Sequence, residues 1–182
     1  SIDKDNSFQI KYYDQGGERY FHYVFNSALS SLTIGDNATI GKSAFSFATN
    51  LQKVTLGANA VIGDNAFYNN SSLREIDLSK VQSIGKYAFS GDEYNVCLDE
   101  NMSVPAVSKD GFYITEAHAS KLTKADLSSA TSIGEYAFAL CSSLRQVVLG
   151  DGIVEIPTYA FASCDALESI NLSKVVTIGD YA

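Results

Sequence analysis

Few residues in this chain have types and spacings that could support catalysis. A serine hydrolase needs a nucleophile, a histidine base and an orienting carboxylate, but the chain contains only two histidines, His22 and His118, and no G-x-S-x-G segment. A zinc site needs histidines or cysteines at close spacing, and neither H-E-x-x-H nor C-x-x-C occurs. The sequence therefore predicts that the protein is not an enzyme and binds no metal or cofactor.

The charge balance argues against nucleic acid as a partner. Among the 182 residues, 13 Lys and Arg stand against 21 Asp and Glu, which gives a net charge of −8. A field of this sign repels nucleic acid phosphates and anionic lipid surfaces. No apolar run approaches the roughly 20 residues that a membrane-spanning helix requires. We therefore expect no nucleic acid partner and no membrane insertion of this segment.

The elements that position the side chains are set by an internal repeat. The pattern Ile-Gly-x-x-Ala-Phe occurs at 40–45, 62–67, 84–89 and 133–138, returns at 156–161 with Pro157 in place of glycine, and is cut off at 178–182. The leading isoleucines are 22, 22, 49, 23 and 22 residues apart. Such regular spacing indicates a stacked repeat architecture.

Each repeat also contains a second set of apolar residues. The pattern L-x-x-h-x-L, in which h is apolar, begins six residues after four of the phenylalanines, at Leu51, Leu73, Leu144 and Leu167. Alternation over its last positions predicts a short strand with one buried face. A unit of this size cannot enclose a core by itself. We therefore expect the coils to stack, with Phe67 directly over Phe89 in a shared interior.

The order of these two patterns resembles the BspA-like leucine-rich repeats, a family of bacterial and protist surface proteins. The match covers residues 29–89 and 122–182, and Cys141 and Cys164 hold the family's cysteine position three residues after phenylalanine. The resemblance implies an α/β fold, a right-handed leucine-rich-repeat solenoid of about eight coils. Each coil is expected to contain a short strand, a turn and a helical or 3₁₀ segment around Ala-Phe.

The repeats divide the chain into two regions. Residues 1–28 lack the repeat and are rich in aromatic side chains, which predicts an N-terminal cap over the apolar face of the first coil. Residues 29–182 form the predicted solenoid. Within it, residues 90–121 are irregular because the interval of 49 equals two periods plus five, which predicts a degenerate coil with a short insertion and a strand near 96–98. The last repeat is truncated, so we expect the parent chain to continue.

Three recurring side-chain types have structural interpretations. The glycine of the repeat marks a coil corner rather than a phosphate-binding loop. Cys141 and Cys164 should be neighbours whose side chains point in parallel, which favours buried free thiols over a disulfide. Asp77 and Asp126 share a strand position and could bind calcium if they met. A degenerate coil between them would keep them apart, so we expect a solvated face.

Two outward-facing sets of residues are candidate partner-binding surfaces. Residues between the buried anchors of each strand point outwards, and in leucine-rich repeats that strand face often receives partners. The second set is the position before alanine in the repeat, where tyrosine recurs. Tyrosine suits protein or glycan contacts, although stacking that shields the coil edge explains the same residues. The candidates are Lys53, Thr55, Glu75, Asp77, Lys124 and Asp126 on the strand face, and Tyr87, Tyr136 and Tyr159 in the second set.

The family resemblance implies a function for these surfaces. We expect a non-catalytic extracellular or cell-surface module that binds a protein or glycan of a host or neighbouring cell. The alternative is a rigid structural spacer within a larger surface protein, which the polar strand face would also suit.

Overall fold

The structure, a computed structural model, describes residues 7–14, 17–24, 28–91, 96–98, 105–107 and 119–182. Expectations for His118 and for the side chains of His22 and Cys97 lie outside the described residues. From residue 28 onwards the described chain forms six stacked coils, numbered 1 to 6, at residues 29–50, 51–72, 73–91, 119–143, 144–166 and 167–182.

Each coil carries two short strands, the first on the strand face and the second just before the repeat glycine. The strands are β1 (Ser7–Asp14), β2 (Gly17–Val24), β3 (Ser31–Ile34), β4 (Thr39–Ile40), β5 (Lys53–Leu56), β6 (Val61–Ile62), β7 (Glu75–Ile76), β8 (Ser83–Ile84), β9 (Val96–Leu98), β10 (Pro105–Val107), β11 (Lys124–Leu127), β12 (Ser132–Ile133), β13 (Gln146–Leu149), β14 (Glu155–Ile156), β15 (Ser169–Ile170) and β16 (Thr177–Ile178). First strands pair in the orders β3-β5-β7 and β11-β13-β15, and second strands in the orders β4-β6-β8-β12 and β14-β16. All these pairs are parallel, whereas β1-β2 and β9-β10 are antiparallel.

A column of phenylalanine rings forms the centre of the core, as the sequence predicts. Phe67 and Phe89 are fully buried, and their rings stack with centroids 5.5 Å apart and an interplanar angle of 9°. The same stacking joins the phenylalanines of coils 1 to 5. Leucine, isoleucine and alanine side chains pack around this column. Each coil therefore buries its apolar residues against its neighbours rather than within itself.

The expectation of a helical segment around Ala-Phe is wrong, because the described residues contain no helix. The backbone there is a series of turns. The residue before alanine has a positive φ in every coil, for example 55° at Asn65, and this conformation ends a right-handed helix. Backbone N–H groups also donate across coils, as from Phe67 to the carbonyl of Ala88 at 2.9 Å, instead of four residues back along the chain.

The prediction of eight coils, one of them degenerate, is also wrong. β8 of coil 3 pairs directly with β12 of coil 4, and the rings of Phe89 and Phe138 stack at 5.2 Å, so no coil lies between them. Ile84 and Ile133 are 49 residues apart, whereas the usual repeat is 22 residues long. The junction between coils 3 and 4 therefore contains 49 − 22 = 27 additional residues. A strand does occupy Val96–Leu98 as predicted, but it pairs antiparallel with β10.

One sheet boundary has a simple chemical cause. At the repeat glycine, Gly63, Gly85 and Gly179 each donate a backbone hydrogen bond to the isoleucine carbonyl of the preceding coil. Pro157 holds this position in coil 5 and has no N–H to donate. The second-strand sheet accordingly divides between β12 and β14.

Candidate functional site

The predicted tyrosines form a continuous stack on the outside of coils 3 to 6. Ring centroids lie 4.6 Å apart for Tyr87 and Tyr136, 4.6 Å for Tyr136 and Tyr159, and 4.9 Å for Tyr159 and Tyr181, with interplanar angles of 10°, 11° and 16°. We call this set, with Ser43 and Asn65 in coils 1 and 2, the tyrosine column. The first three tyrosines are half-buried, whereas 76% of Tyr181 is exposed. Because the ring faces are stacked on one another, this surface presents mainly ring edges and hydroxyl groups.

The backbone under the tyrosine column is left-handed. The φ angles are 55° at Tyr87, 58° at Tyr136 and 57° at Tyr159. Such a conformation costs roughly 1–2 kcal/mol for most residues and is adopted more readily by Gly or Asn. Each stacked aromatic pair stabilises the fold by about 0.5–1.5 kcal/mol beyond the effect of the area that it buries. Tyrosine is therefore close to neutral for folding at this position, and Asn65 shows that the coil forms without it.

The surroundings of Tyr136 keep its hydroxyl group protonated, so that it can donate a hydrogen bond. Burial raises the pKa of Tyr136, and the neighbouring Tyr159 and Glu135 raise it further. The Tyr136 hydroxyl is also hydrogen-bonded to Tyr87. Beside the rings, Lys86 and Glu135 form an ion pair at 2.9 Å, and that pairing raises the pKa of Lys86.

The strand-face candidates point outwards as predicted. Lys53, Thr55, Glu75 and Lys124 are exposed. Several of the charges are already paired within the chain: Lys53 with Glu75 at 3.0 Å, and Lys124 with Asp126 at 3.5 Å. The structure thus places these residues on one face, where much of their charge is balanced by neighbours in the same or the next coil.

Asp77 and Asp126 lie in adjacent coils, contrary to the expectation that a degenerate coil separates them, because coil 3 stacks directly on coil 4. Each carboxylate accepts a hydrogen bond from a backbone N–H two residues later, Asp77 from Ser79 at 2.9 Å and Asp126 from Ser128 at 3.2 Å. The hydroxyl and backbone N–H of Ser79 lower the pKa of Asp77, with a further contribution from lysines. Among the described residues, no group of three or more His, Cys, Asp or Glu side chains could hold a metal ion.

The two described cysteines are free and buried, as predicted. The thiol of Cys141 contacts the carbonyl of Phe89 at 3.5 Å, and that of Cys164 the carbonyl of Phe138 at 3.2 Å. Asn70 donates to the carbonyl of Phe45 from the same repeat position at 2.9 Å. Burial raises the pKa of both thiols to about 12, so they are neutral hydrogen-bond donors to the neighbouring coil.

Comparison with protein-family models matches residues 17–113 and 108–182 to the BspA type leucine rich repeat region, in six copies. The chain belongs to the BspA-type leucine-rich repeat family. Six copies agree with the six coils of the structure. No curated protein matches the sequence. No helix of the described residues is long and apolar enough to cross a bilayer.

Two solved structures are similar to this BspA-type chain. A leucine-rich repeat protein from Bacteroides ovatus ATCC 8483 aligns over 96% of this chain and 48% of its own, with 21% identity and a TM-score of 0.49. A leucine rich cell surface protein from Faecalibacterium prausnitzii A2-165 aligns over 98% of this chain and 38% of its own, with 21% identity and a TM-score of 0.46. This chain spans less than half the length of either protein.

Sequence reasoning missed one column of this BspA-type solenoid. The residues just before the tyrosine column share one repeat position and are mostly charged, and we call them the charge column: Lys42, Asp64, Lys86, Glu135, Thr158 and Asp180. The signal that could have revealed it is a change of charge sign at every repeat from Lys42 to Glu135.

Proposed function

We propose that this chain is a non-catalytic module displayed outside the cell or on its surface, which binds a protein or glycan of a host or neighbouring cell through the tyrosine column. The surface location is supported by membership of a family of surface proteins. The use of the tyrosine column is supported by the structure around Tyr87, Tyr136 and Tyr159.

The observation that carries the proposal is the left-handed backbone beneath these tyrosines. Stability does not select tyrosine there, because the strain of the left-handed backbone offsets the gain from ring stacking, and coil 2 forms with Asn65 at the same position. Tyrosine adds a large, rigid side chain with a polar tip, which supplies contact area at low entropic cost. Three half-buried rings in succession thus present a row of ring edges and hydroxyls to a partner.

The test is replacement of Tyr87, Tyr136 and Tyr159 together by Asn. The wild-type chain is first screened against extracellular-matrix proteins and a glycan array. Affinity for the ligand found is then measured by surface plasmon resonance. We expect the triple variant to bind at least about thirtyfold more weakly, the effect of losing roughly 2 kcal/mol at a binding hot spot.

A matched control replaces the strand-face pair Lys53 and Glu75 by Ala, which should leave this affinity within about threefold because exposed ion pairs contribute little. Circular dichroism must show that both variants melt cooperatively near the wild-type temperature. Absence of any saturable binding by the wild-type chain, or unchanged binding by the triple variant, would contradict the proposal.

A second candidate function is a rigid spacer within a larger surface protein. It is favoured by the strand face, where Lys53 pairs with Glu75 and Lys124 with Asp126 inside the chain. A spacer predicts that cell adhesion by the parent protein is unaffected by the three tyrosine substitutions and changes when the number of coils is altered.

A further inference from the structure

The charge column has an order that makes it complementary to itself when reversed. From coil 1 to coil 6 it carries positive, negative, positive, negative, neutral and negative groups: Lys42, Asp64, Lys86, Glu135, Thr158 and Asp180. Four of these residues are exposed, and Glu135 and Thr158 are half-buried. Placed antiparallel against a second copy with all six coils overlapping, Lys42 faces Asp180, Asp64 faces Thr158 and Lys86 faces Glu135. No like charges meet.

The tyrosine column runs beside the charge column, since Glu135 is close enough to raise the pKa of Tyr136. In the same antiparallel register, Tyr87 faces Tyr136 of the second copy. The tyrosines of coils 5 and 6, Tyr159 and Tyr181, face Asn65 and Ser43, whose side chains are the two shortest of the column. Every one of these contacts is polar at its tip, so hydroxyl and amide groups can hydrogen-bond across the pair.

Register is maintained along the whole contact because both partners have the same repeat distance. Successive tyrosine rings are 4.6 to 4.9 Å apart in each copy. A two-fold axis between coils 3 and 4, perpendicular to the solenoid, brings all six pairs together at once. Such a contact is isologous, so it closes as a dimer and does not propagate.

We propose that two copies of this chain associate side by side and antiparallel through the charge and tyrosine columns. At the centre, the Lys86–Glu135 ion pair of each copy meets its symmetry equivalent, which gives a quartet of two lysines and two glutamates. The inference goes beyond the proposed function, because its partner is a second copy rather than a foreign protein or glycan.

The contact should be weak and sensitive to salt. Two narrow columns bury less than the roughly 800 Å² per partner of a stable interface, and exposed ion pairs are screened within about 10 Å at 0.1 M salt. A dimer of this strength suits surface display, where many copies on two facing cells act together.

The test is a charge exchange at the ends of the contact, measured by sedimentation equilibrium. Lys42→Glu and Asp180→Lys each place two pairs of like charges in a homodimer, so each variant alone should dimerise at least roughly tenfold more weakly. An equimolar mixture of the two variants restores opposite charges at both ends. We expect it to regain wild-type association to within about threefold, and to lose it again in high salt.

Two results would overturn the inference: a wild-type chain that stays monomeric up to about 1 mM, or a mixture that associates no better than its components. Thermal melts of both variants check that their folding is intact. Because Tyr87, Tyr136 and Tyr159 are unchanged in both variants, binding to a foreign ligand is tested separately on the same proteins, and either proposal can fail without the other.

Discussion

At the scale of single residues, the repeat glycine is required by the closeness of the coils and not by its backbone angle. A Cβ on Gly85 would lie 2.5 Å from the backbone nitrogen of Asp64 in coil 2, far inside van der Waals contact. A Cβ on Gly41, in coil 1, would meet no described atom within 4 Å. The same residue of the repeat is therefore tightly packed inside the stack, whereas in coil 1 no described residue packs against the position of such a Cβ.

This difference predicts the effect of alanine at the two positions. Gly85→Ala should lower the free energy of unfolding by roughly 1–3 kcal/mol, because the added methyl group pushes two coils apart. Gly41→Ala should change it little or raise it by about 0.4–1 kcal/mol through the unfolded chain. Urea denaturation with a common m-value measures both. Equal losses for the two variants would show that coil spacing is not the cause.

Some properties of these residues follow from sequence and others do not. The buried Leu, Ile, Ala and Phe positions are predictable because their spacing repeats. The left-handed conformation before alanine is not, since tyrosine rarely adopts it. Asn65 adopts this conformation more readily than most residues, but tyrosine is the commoner residue at this position and does not indicate it. The role of the cysteines as donors to a phenylalanine carbonyl needed the hydrogen bonds of the structure.

At the scale of elements, coils 3 and 4 stack directly on each other although residues 92–118 lie between them in the sequence. Coil 3 already pairs with coil 4, and Ser120 donates a backbone hydrogen bond to the carbonyl of Phe89 at 3.2 Å. Residues 92–118 number 27. Their removal leaves five residues between Phe89 and Leu122, the same number as between Phe67 and Leu73.

We therefore expect a chain lacking residues 92–118 to fold with six coils. Removing this segment should change the free energy of unfolding of the coils by no more than about 1 kcal/mol, because β9 and β10 pair with each other rather than with a coil and closure entropy depends weakly on length. Far-ultraviolet circular dichroism and urea denaturation measure the result. A loss of several kcal/mol, as expected when a stacked coil is removed, would mean that the segment contributes to the core.

The sequence predicts the first strand of each coil and the strand near 96–98, but it predicts neither the second strands nor the direct contact of coils 3 and 4. The first strands have an alternating pattern, as in Lys53–Leu56. The second strands contain only two residues each, too few for any period to be visible. The interval of 49 lies close to two repeats and therefore predicts a degenerate coil, whereas coil 3 stacks directly on coil 4 and the strand within the insertion has an antiparallel partner.

At the scale of the whole molecule, stability depends on contacts between neighbouring coils, and the middle of the stack has neighbours on both sides. Phe89 is fully buried between the rings of Phe67 and Phe138. Phe45, in coil 1, is half-buried and stacks on Phe67.

Removing each ring should therefore have unequal effects. Phe89→Ala is expected to cost about 3–5 kcal/mol, typical of a large buried side chain whose cavity cannot collapse. Phe45→Ala should cost clearly less, because its surroundings are partly open and can relax. Both values come from urea denaturation at equal protein concentration. If Phe45→Ala proved as damaging as Phe89→Ala, the core would not behave as a sum of coil-to-coil contacts.

The junction after Phe89 also indicates how this scaffold can carry foreign sequence. The chain contains 27 additional residues at this junction, and the rings of Phe89 and Phe138 on either side still stack with centroids 5.2 Å apart. The corresponding junctions after Phe67 and Phe138 have the same surroundings of stacked rings. An epitope or a receptor-binding loop grafted at those points would be held at a defined height along the stack of coils, which makes the chain a suitable starting point for engineered display.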